Sequence, residues 1–451
     1  MTYTKIFKYI NYFTLACIIP LSYFAPMGEW LLISFLSLAT IIDCFINKTK
    51  IHLNNLFVFM LSLLIIMISF YWSINTERTL EVIGPITGII IAIYITLNSS
   101  SNNGIISIKN IIGVPIILTS ICILSDIILN TEIRSSLAII AGDAPTSKSG
   151  NYSRGIILIT IMMPLVVALY IHNNNKLMAL SVFLLVSLMI LLGPNDTAKM
   201  ALICALISSI IIYFLGPKSF LYFGIIAYIF ILFLPIISTN IAPQIAHIEK
   251  NITLIIPLVG SRINSDTRTQ TKFDNFNPYT YYKRIFSYIH FGNTNYSTET
   301  LPWQKTSIGG SIIHRLLVWE YVGSEILKKP LLGNGIGTSR LIGQNIVLNI
   351  PNTNQEIRGG IPLHPHNSFL EIWLELGLLG IIVISFIWIK IIKFGMNIRK
   401  NSFVIGTGVC TSIITIFVIY NLSFGAFQAW WMASIGLLCF IILESCKYTK
   451  Q

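Results

Sequence analysis

Charge is what this sequence has least of. Charged side chains make up 11% of its 451 residues, hydrophobic ones 54%, and mean hydropathy is +0.75. A soluble domain carries about 25% charge, so a water-soluble globular enzyme is excluded. Acids are scarcer than bases, with 18 Asp and Glu against 30 Lys and Arg, a net charge of +12. The bases are not gathered into tracts that would follow a phosphate backbone, which excludes a nucleic-acid partner. The seven cysteines (17, 44, 122, 204, 410, 439 and 446) fall in apolar runs or the C-terminal tail, so neither a disulfide framework nor a thiolate metal site is expected. There is no internal repeat and no low-complexity tract; the wealth of Ile, Asn and Lys reads as an AT-rich genome.

Long apolar runs are what the sequence does have. Crossing a hydrocarbon core takes about 20 mostly apolar residues as a helix. Twelve runs of that kind are predicted as spans, at 8–25, 28–46, 55–74, 82–98, 109–130, 155–172, 177–193, 198–215, 219–240, 377–395, 403–422 and 426–445. The first has Lys5 and Lys8 ahead of it, as a signal peptide would, yet it has no convincing small-residue cleavage site and leads straight into a second span. It reads as the first transmembrane helix.

Orientation follows from the bases, which are retained on the cytoplasmic side. With a cytoplasmic N-terminus, the inner connections hold Lys48, Lys50, Lys109, Lys176, Lys218, Lys390, Lys393, Arg399 and Lys400, and the tail holds Lys447 and Lys450. The other side carries mixed charge. Three regions follow: 1–240 with spans one to nine, 241–376 as one large periplasmic loop, and 377–451 with the last three spans and a short cytoplasmic tail. The expected class is an all-α polytopic membrane protein of the bacterial inner membrane, with about twelve transmembrane helices and helices inside the loop.

Chemistry is expected in that loop, because connections carry function and this one is too long for a linker. Residues 241–310 are polar and aromatic, which suits a sugar-facing surface or any water-exposed one. Residues 311–329 have helical apolar spacing, and 330–362 run through Pro330 and the glycines of GNGIGTSR as a turn followed by a mobile-looking stretch. Those glycines are no phosphate loop, since no GK[ST] follows. Then comes HPHNSFLEIWLELGLLG at 364–380.

Pro365 disfavours helix at the residue before it, and Ser368 with Glu371 has the form of a capping box, so a helix is expected from Asn367 or Ser368. His366 would stand just before that helix start, where the dipole disfavours a protonated imidazole and favours an anion; a neutral histidine there suits a general base. The plainer reading is a cap or surface histidine. His364 and His366 could join His290 or His314 on a metal, but no acid or thiol stands at a recognised spacing, and no metal is expected. Glu371 and Glu375 would share one helix face, and Gly377 and Gly380 would allow close helix packing. Arg315, one turn before Trp319, fits either a guanidinium over an indole or a bidentate phosphate contact; Arg154, at the entry to a span, fits either snorkelling or the same phosphate contact.

His366-Asn367, nine residues, then Gly377-Leu-Leu-Gly380 resembles the H[NSQ]-x9-GxxG signature of bacterial O-antigen ligases. Arg154 through Leu158 resembles their R-x3-L element, and Arg315 with Trp319 their arginine-bearing loop helix. Ile381 stands where that signature usually has Thr or Val. The resemblance implies a GT-C-like glycosyltransferase of the O-antigen ligase and polymerase superfamily. Such an enzyme moves a glycan from undecaprenyl diphosphate to a sugar hydroxyl of lipid A–core in the periplasm, with inversion and without metal or cofactor. His366 would be the base, Arg315 would stabilise the leaving diphosphate, and Arg154, Arg315 and Asn367 would bind substrate. An O-antigen polymerase is the nearest alternative. A polytopic transporter is the non-enzymatic one, disfavoured because Asp43, Asp126 and Glu444, the acids in or near spans, sit close to predicted span ends.

Overall fold

The computed structural model describes residues 3–48, 53–98, 108–129, 133, 136, 150–240, 308–344, 346–349, 356–358, 361 and 363–448. The predicted 241–307 region lies outside them. Helices run α1 (Tyr3–Phe24), α2 (Glu29–Asn47), α3 (Leu56–Ile68), α4 (Thr76–Leu97) and α5 (Ile108–Ile128). They continue as α6 (Gly150–His172), α7 (Lys176–Leu192), α8 (Asp196–Leu215), α9 (Pro217–Asn240) and α10 (Ile308–Lys328). The last three are α11 (Ser368–Asn401), α12 (Phe403–Leu422) and α13 (Ala429–Tyr448). Two short antiparallel strands, β1 (Val347–Asn349) and β2 (Glu356–Arg358), pair with Val347 opposite Arg358.

Every predicted span overlaps a helix, and α10 is the helix expected inside the loop. Among the described residues, nine helices are long and apolar enough to cross a membrane, and three more are apolar but shorter. The chain is an all-α polytopic membrane protein. Its outer surface agrees with that: Phe45, Tyr71, Leu177 and Phe214 are 75–85% exposed, a surface that lipid covers without cost and water does not.

The centre of the bundle is α6. It is apolar on all sides, and a helix of that kind is stable only when surrounded; from Gly155 to Tyr170 nearly every residue is buried, against α1, α7 and α12. Gly408 lets α12 approach closely, since a Cβ there would lie 2.8 Å from the Pro164 carbonyl oxygen of α6. Pro235 shapes α9 in another way. Having no N–H, it leaves the Ile231 carbonyl without its helical donor, and the indole of Trp373 on α11 donates to that oxygen at 2.9 Å. One defect in α9 thus fixes how α11 lies against it.

Arg399, read from sequence as one of the inner basic residues, is buried. Its guanidinium donates to the Ile212 and Tyr213 carbonyls at 3.3 Å each and lies 3.9 Å from the Phe403 ring centroid. It adds donors at the last turn of α8, where the Ile212 carbonyl also accepts from the Gly216 N–H at 3.1 Å.

The helix that positions the site is α11. It is broken at Gly377, whose φ of 59° and ψ of −152° belong to no helix. The break frees backbone groups on both sides, and residues 330–335 satisfy them. Asn334 and Gly335 donate their N–H groups to the Leu374 and Glu375 carbonyls at 2.9 and 2.8 Å, while the N–H of Leu378 reaches the Pro330 carbonyl at 2.8 Å. A Cβ on Gly377 would come within 2.5 Å of the Leu331 oxygen, so glycine is required for its dihedrals and for this approach. The sequence reading attributed Gly377 to helix packing; its actual neighbour is the main chain of a turn. That turn, expected to lead into a mobile stretch, is clamped on its other side too, through the Ile74 N–H to Asn334 O at 3.0 Å and Thr79 Oγ1 to Ile336 O at 2.9 Å.

Candidate active site

The upper part of α11 begins at Asn367, whose Oδ1 accepts from the N–H groups of Phe369 and Leu370 at 3.0 and 3.1 Å. The capping box read from Ser368 and Glu371 does not form. An asparagine one residue earlier already takes the free N–H groups, Ser368 Oγ instead donates to the Phe424 carbonyl at 2.8 Å, and Glu371 turns away toward residues 339 and 426. Asn367 is fully buried and its Nδ2 donates to Asn421 Oδ1 at 3.4 Å. Its carboxamide, expected to bind substrate, is therefore committed to holding the helix start.

His366 precedes this cap with φ of 55°, a left-handed conformation uncommon outside glycine and associated with constrained functional positions. Two contacts hold it there. Its N–H donates to His364 Nδ1 at 3.1 Å, and its own Nδ1 lies 2.9 Å from the Ser423 carbonyl. A carbonyl only accepts, so Nδ1 carries the proton and Nε2 is the basic nitrogen. The side chain is half-buried. His364 packs edge-on to it, ring centroids 4.4 Å apart. Burial pushes the His364 pKa down to about 3, with the positive charges of His366 and Arg340 acting the same way. It stays neutral and accepts with Nδ1, so no second imidazolium competes beside His366.

Below the histidines, Glu371 and Glu375 share a face as expected, but the face points into protein. Glu375 accepts from the N–H groups of Gly337 and Ser339 at 2.7 and 2.9 Å; Glu371 accepts from Ser339 Oγ at 3.4 Å and from the Ala426 N–H. Both carboxylates are buried. They tie the 330–341 turn and the 423–428 connection to α11, and a Cβ on Gly425 would meet Glu371 Oε2 at 2.6 Å.

The two arginines enter from different directions. Arg154, at the start of α6, lies with Cζ 4.7 Å from the ring centroid of Trp430, which packs edge-on against Phe424 at 4.6 Å. Phe424 adjoins Ser423, the partner of His366. Arg315 is half-buried on α10, one turn before Trp319, and the Trp319 indole donates to the Pro365 carbonyl at 2.8 Å. Arg154 thus packs on the 423–430 connection, whose Ser423 carbonyl meets His366, and Arg315 stands one helical turn from Trp319, which holds the Pro365 carbonyl. Sequence reasoning missed that connection, with Asn421, Ser423 and Gln428, whose Oε1 accepts from Trp430 at 3.1 Å. Nothing in NLSFGAFQAWW resembles a motif, and its only local signal is a polar, glycine-bearing break between two spans.

His290 and the side chain of His314 lie outside the described residues. Among the described residues no group of three or more His, Cys, Asp or Glu is placed to hold a metal ion.

A break at Gly377 and a conformationally constrained His366 are the two halves of the signature read from the sequence. The family model described as O-antigen ligase matches residues 149–385, just over half of the chain, and takes in Arg154, Arg315, His366 and Gly377. This chain belongs to the O-antigen ligase family. It is also similar to provisionally named polysaccharide ligases of three Rickettsia species. The R. felis protein is 35% identical over 134 residues, covering 30% of this chain and 32% of that protein. The R. conorii protein is 32% identical over 136 residues, with the same coverage, and the R. bellii protein 34% over 124 residues, covering 28% and 30%. The matched stretch is about a third of each relative's length. As a member of the O-antigen ligase family, the chain carries His366 on a hydrogen-bonded, buried mount in a multi-pass bundle.

Proposed function

We propose that this protein is an O-antigen ligase. It transfers a glycan from undecaprenyl diphosphate to a sugar hydroxyl of lipid A–core, with inversion and without a metal. The reaction takes place on the periplasmic side of an inner membrane that the chain crosses twelve times, both termini lying in the cytoplasm. The observation that carries this reading is the mounting of His366, because the Ser423 carbonyl on Nδ1 leaves Nε2 as the proton acceptor.

Nε2 takes the proton of the acceptor hydroxyl as its oxygen bonds to the anomeric carbon. The bond from that carbon to the diphosphate oxygen breaks, and the electron pair leaves with undecaprenyl diphosphate. Arg154 and Arg315 hold the diphosphate and stabilise the charge it gains, the electrostatic role that fixed cations serve in transition states. Asn367 contributes by keeping the start of α11, and with it His366, in place.

The test is deletion of the gene in its host, with analysis of lipopolysaccharide and undecaprenyl-linked glycans, then complementation with wild type, His366→Ala and Arg315→Lys. The expected result is core without O-chains, long polymer accumulating on undecaprenyl diphosphate, rescue by wild type and none by His366→Ala. Arg315→Lys keeps the charge and loses the fork, so a large loss with it marks bidentate contact. Core carrying single repeat units would make the protein a polymerase, and normal lipopolysaccharide in the deletion would end the reading.

A further inference from the structure

The glycine turn leaves one cation in an unusual position. Residues Ser339–Leu341 form a single 3-10 turn between two buried anchors. Ser339 is held by Glu375 through its N–H and by Glu371 through its hydroxyl, and Ile342 packs in the cluster that holds Val322, Ile361 and Phe369. Between these anchors the side chain of Arg340 is exposed, and no other described residue forms a hydrogen bond or ion pair with it. The two anchors thereby bring it to the first two turns of α11, the helix that His366 precedes, through Glu371, Glu375 and the cluster that holds Phe369. A turn hydrogen-bonded to the start of α11 thus presents an exposed guanidinium at the end of the bundle that carries His366.

We infer that Arg340 is a third anion-binding side chain of the transfer site, acting on the diphosphate as it leaves. The inference rests on the ligase reading above. The donor is a diphosphate diester with two negative charges; breaking the bond to the sugar produces a monoester with a third. Arg154 and Arg315 match the charge of the donor, and Arg340 matches the charge that develops. A guanidinium already fixed in place stabilises that charge without reorganising. Because the interaction strengthens along the reaction, its loss falls on kcat more than on the donor KM.

The experiment uses the full-length protein in lipid nanodiscs, comparing wild type, Arg340→Ala, Arg340→Lys and Lys328→Ala. Lys328 is an exposed base paired with Glu325 and outside the site. Glycan transfer is measured, together with binding of undecaprenyl diphosphate and of undecaprenol. Arg340→Ala is expected to lower kcat roughly 10- to 100-fold, the loss associated with a hydrogen bond to a charged group. It should weaken undecaprenyl diphosphate binding by a similar factor, leave undecaprenol binding unchanged and keep the melting temperature; Arg340→Lys should recover part of both, and Lys328→Ala should match wild type. A fully active Arg340→Ala variant, or one that loses undecaprenol binding equally, overturns this inference alone. A wild-type protein that neither transfers glycan nor binds undecaprenyl diphosphate overturns it together with the ligase reading.

Discussion

The two parts of α11 are continuous in sequence and opposite in how they are held. Above Gly377, every residue from Ser368 to Leu376 is buried, and the segment is fixed by hydrogen bonds to the 330–339 turn, to the 421–426 connection and to α9. Below it, Leu378, Ile382, Phe386, Ile387 and Ile389 are exposed on one side while Ile381, Val383, Trp388 and Ile392 are buried on the other. The lower part is an ordinary lipid-facing helix. The upper part is a mount for His366, and its order comes from directional bonds. Apolar burial is non-directional, whereas a hydrogen bond weakens steeply once donor and acceptor are misaligned. The histidine proposed to meet a hydroxyl oxygen is carried by the second kind of structure.

Four changes test this contrast. Glu375→Ala should have the largest effect, because it leaves the buried N–H groups of Gly337 and Ser339 without an acceptor, each costing about 1–3 kcal/mol. The expected outcome in detergent is a clear drop in melting temperature together with loss of transfer, with Glu375→Gln milder on both. An unchanged melting temperature would mean that the turn does not depend on this carboxylate. Gly377→Ala comes next. It imposes a positive φ on alanine, roughly 1–3 kcal/mol of strain, and presses Cβ on the Leu331 oxygen. Amide exchange should rise in 330–337 and stay unchanged in the lower part of α11; a rise spread over the whole helix would show that the two parts are not independent.

The third change is in pH. His364 has a folded pKa of about 3, below the ordinary value near 6.5, so the unfolded chain binds the proton more readily. Its neutral burial stabilises the fold above the unfolded pKa. That stability is lost as pH falls through the window from about 6.5 to 3, by about 1.4 kcal/mol for the first full unit below it. Replacing His364 by glutamine should flatten the melting temperature between pH 6.5 and 5, and an equal slope in both proteins would assign it elsewhere. The smallest effect belongs to the lower part: Trp388→Phe removes the indole bond to the Gly224 carbonyl, about 0.5–1.5 kcal/mol, and should leave transfer intact. Loss of transfer there would break the distinction between mount and span.

The reach of the sequence follows the same division. The apolar helices were legible because length and apolarity are local properties; each predicted span overlaps a helix, and nine of the described helices are long and apolar enough to cross a membrane. The end of the loop segment was placed at 376, one residue before the break at Gly377. His366 and Asn367 were found through a signature that stands in one short stretch. What could not be read is what holds that stretch: His366 meets Ser423, Glu371 meets Ser339, and Trp319 meets Pro365, contacts between positions 57, 32 and 46 apart. The glycines of GNGIGTSR were read correctly as a turn, but a turn's composition records its dihedrals and not its partner. Ser368 and Glu371 matched the pattern of a capping box for the same local reason, and tertiary partners took both, the Phe424 carbonyl accepting from Ser368 and Ser339 and Ala426 donating to Glu371.

The break at Gly377 also bears on hydrophobic mismatch. As an unbroken helix, the 34 residues of α11 would extend about 51 Å at about 1.5 Å per residue, far beyond the roughly 30 Å of a hydrocarbon core. Residues 378–401 alone reach about 36 Å, enough to cross with a modest tilt. The discontinuity thus leaves a lower part that is by itself long enough to cross a hydrocarbon core. The lower part can tilt to suit bilayers of different thickness while the upper part, bound to the turn and the connection, keeps its bearing, so the end that carries His366 need not follow the membrane.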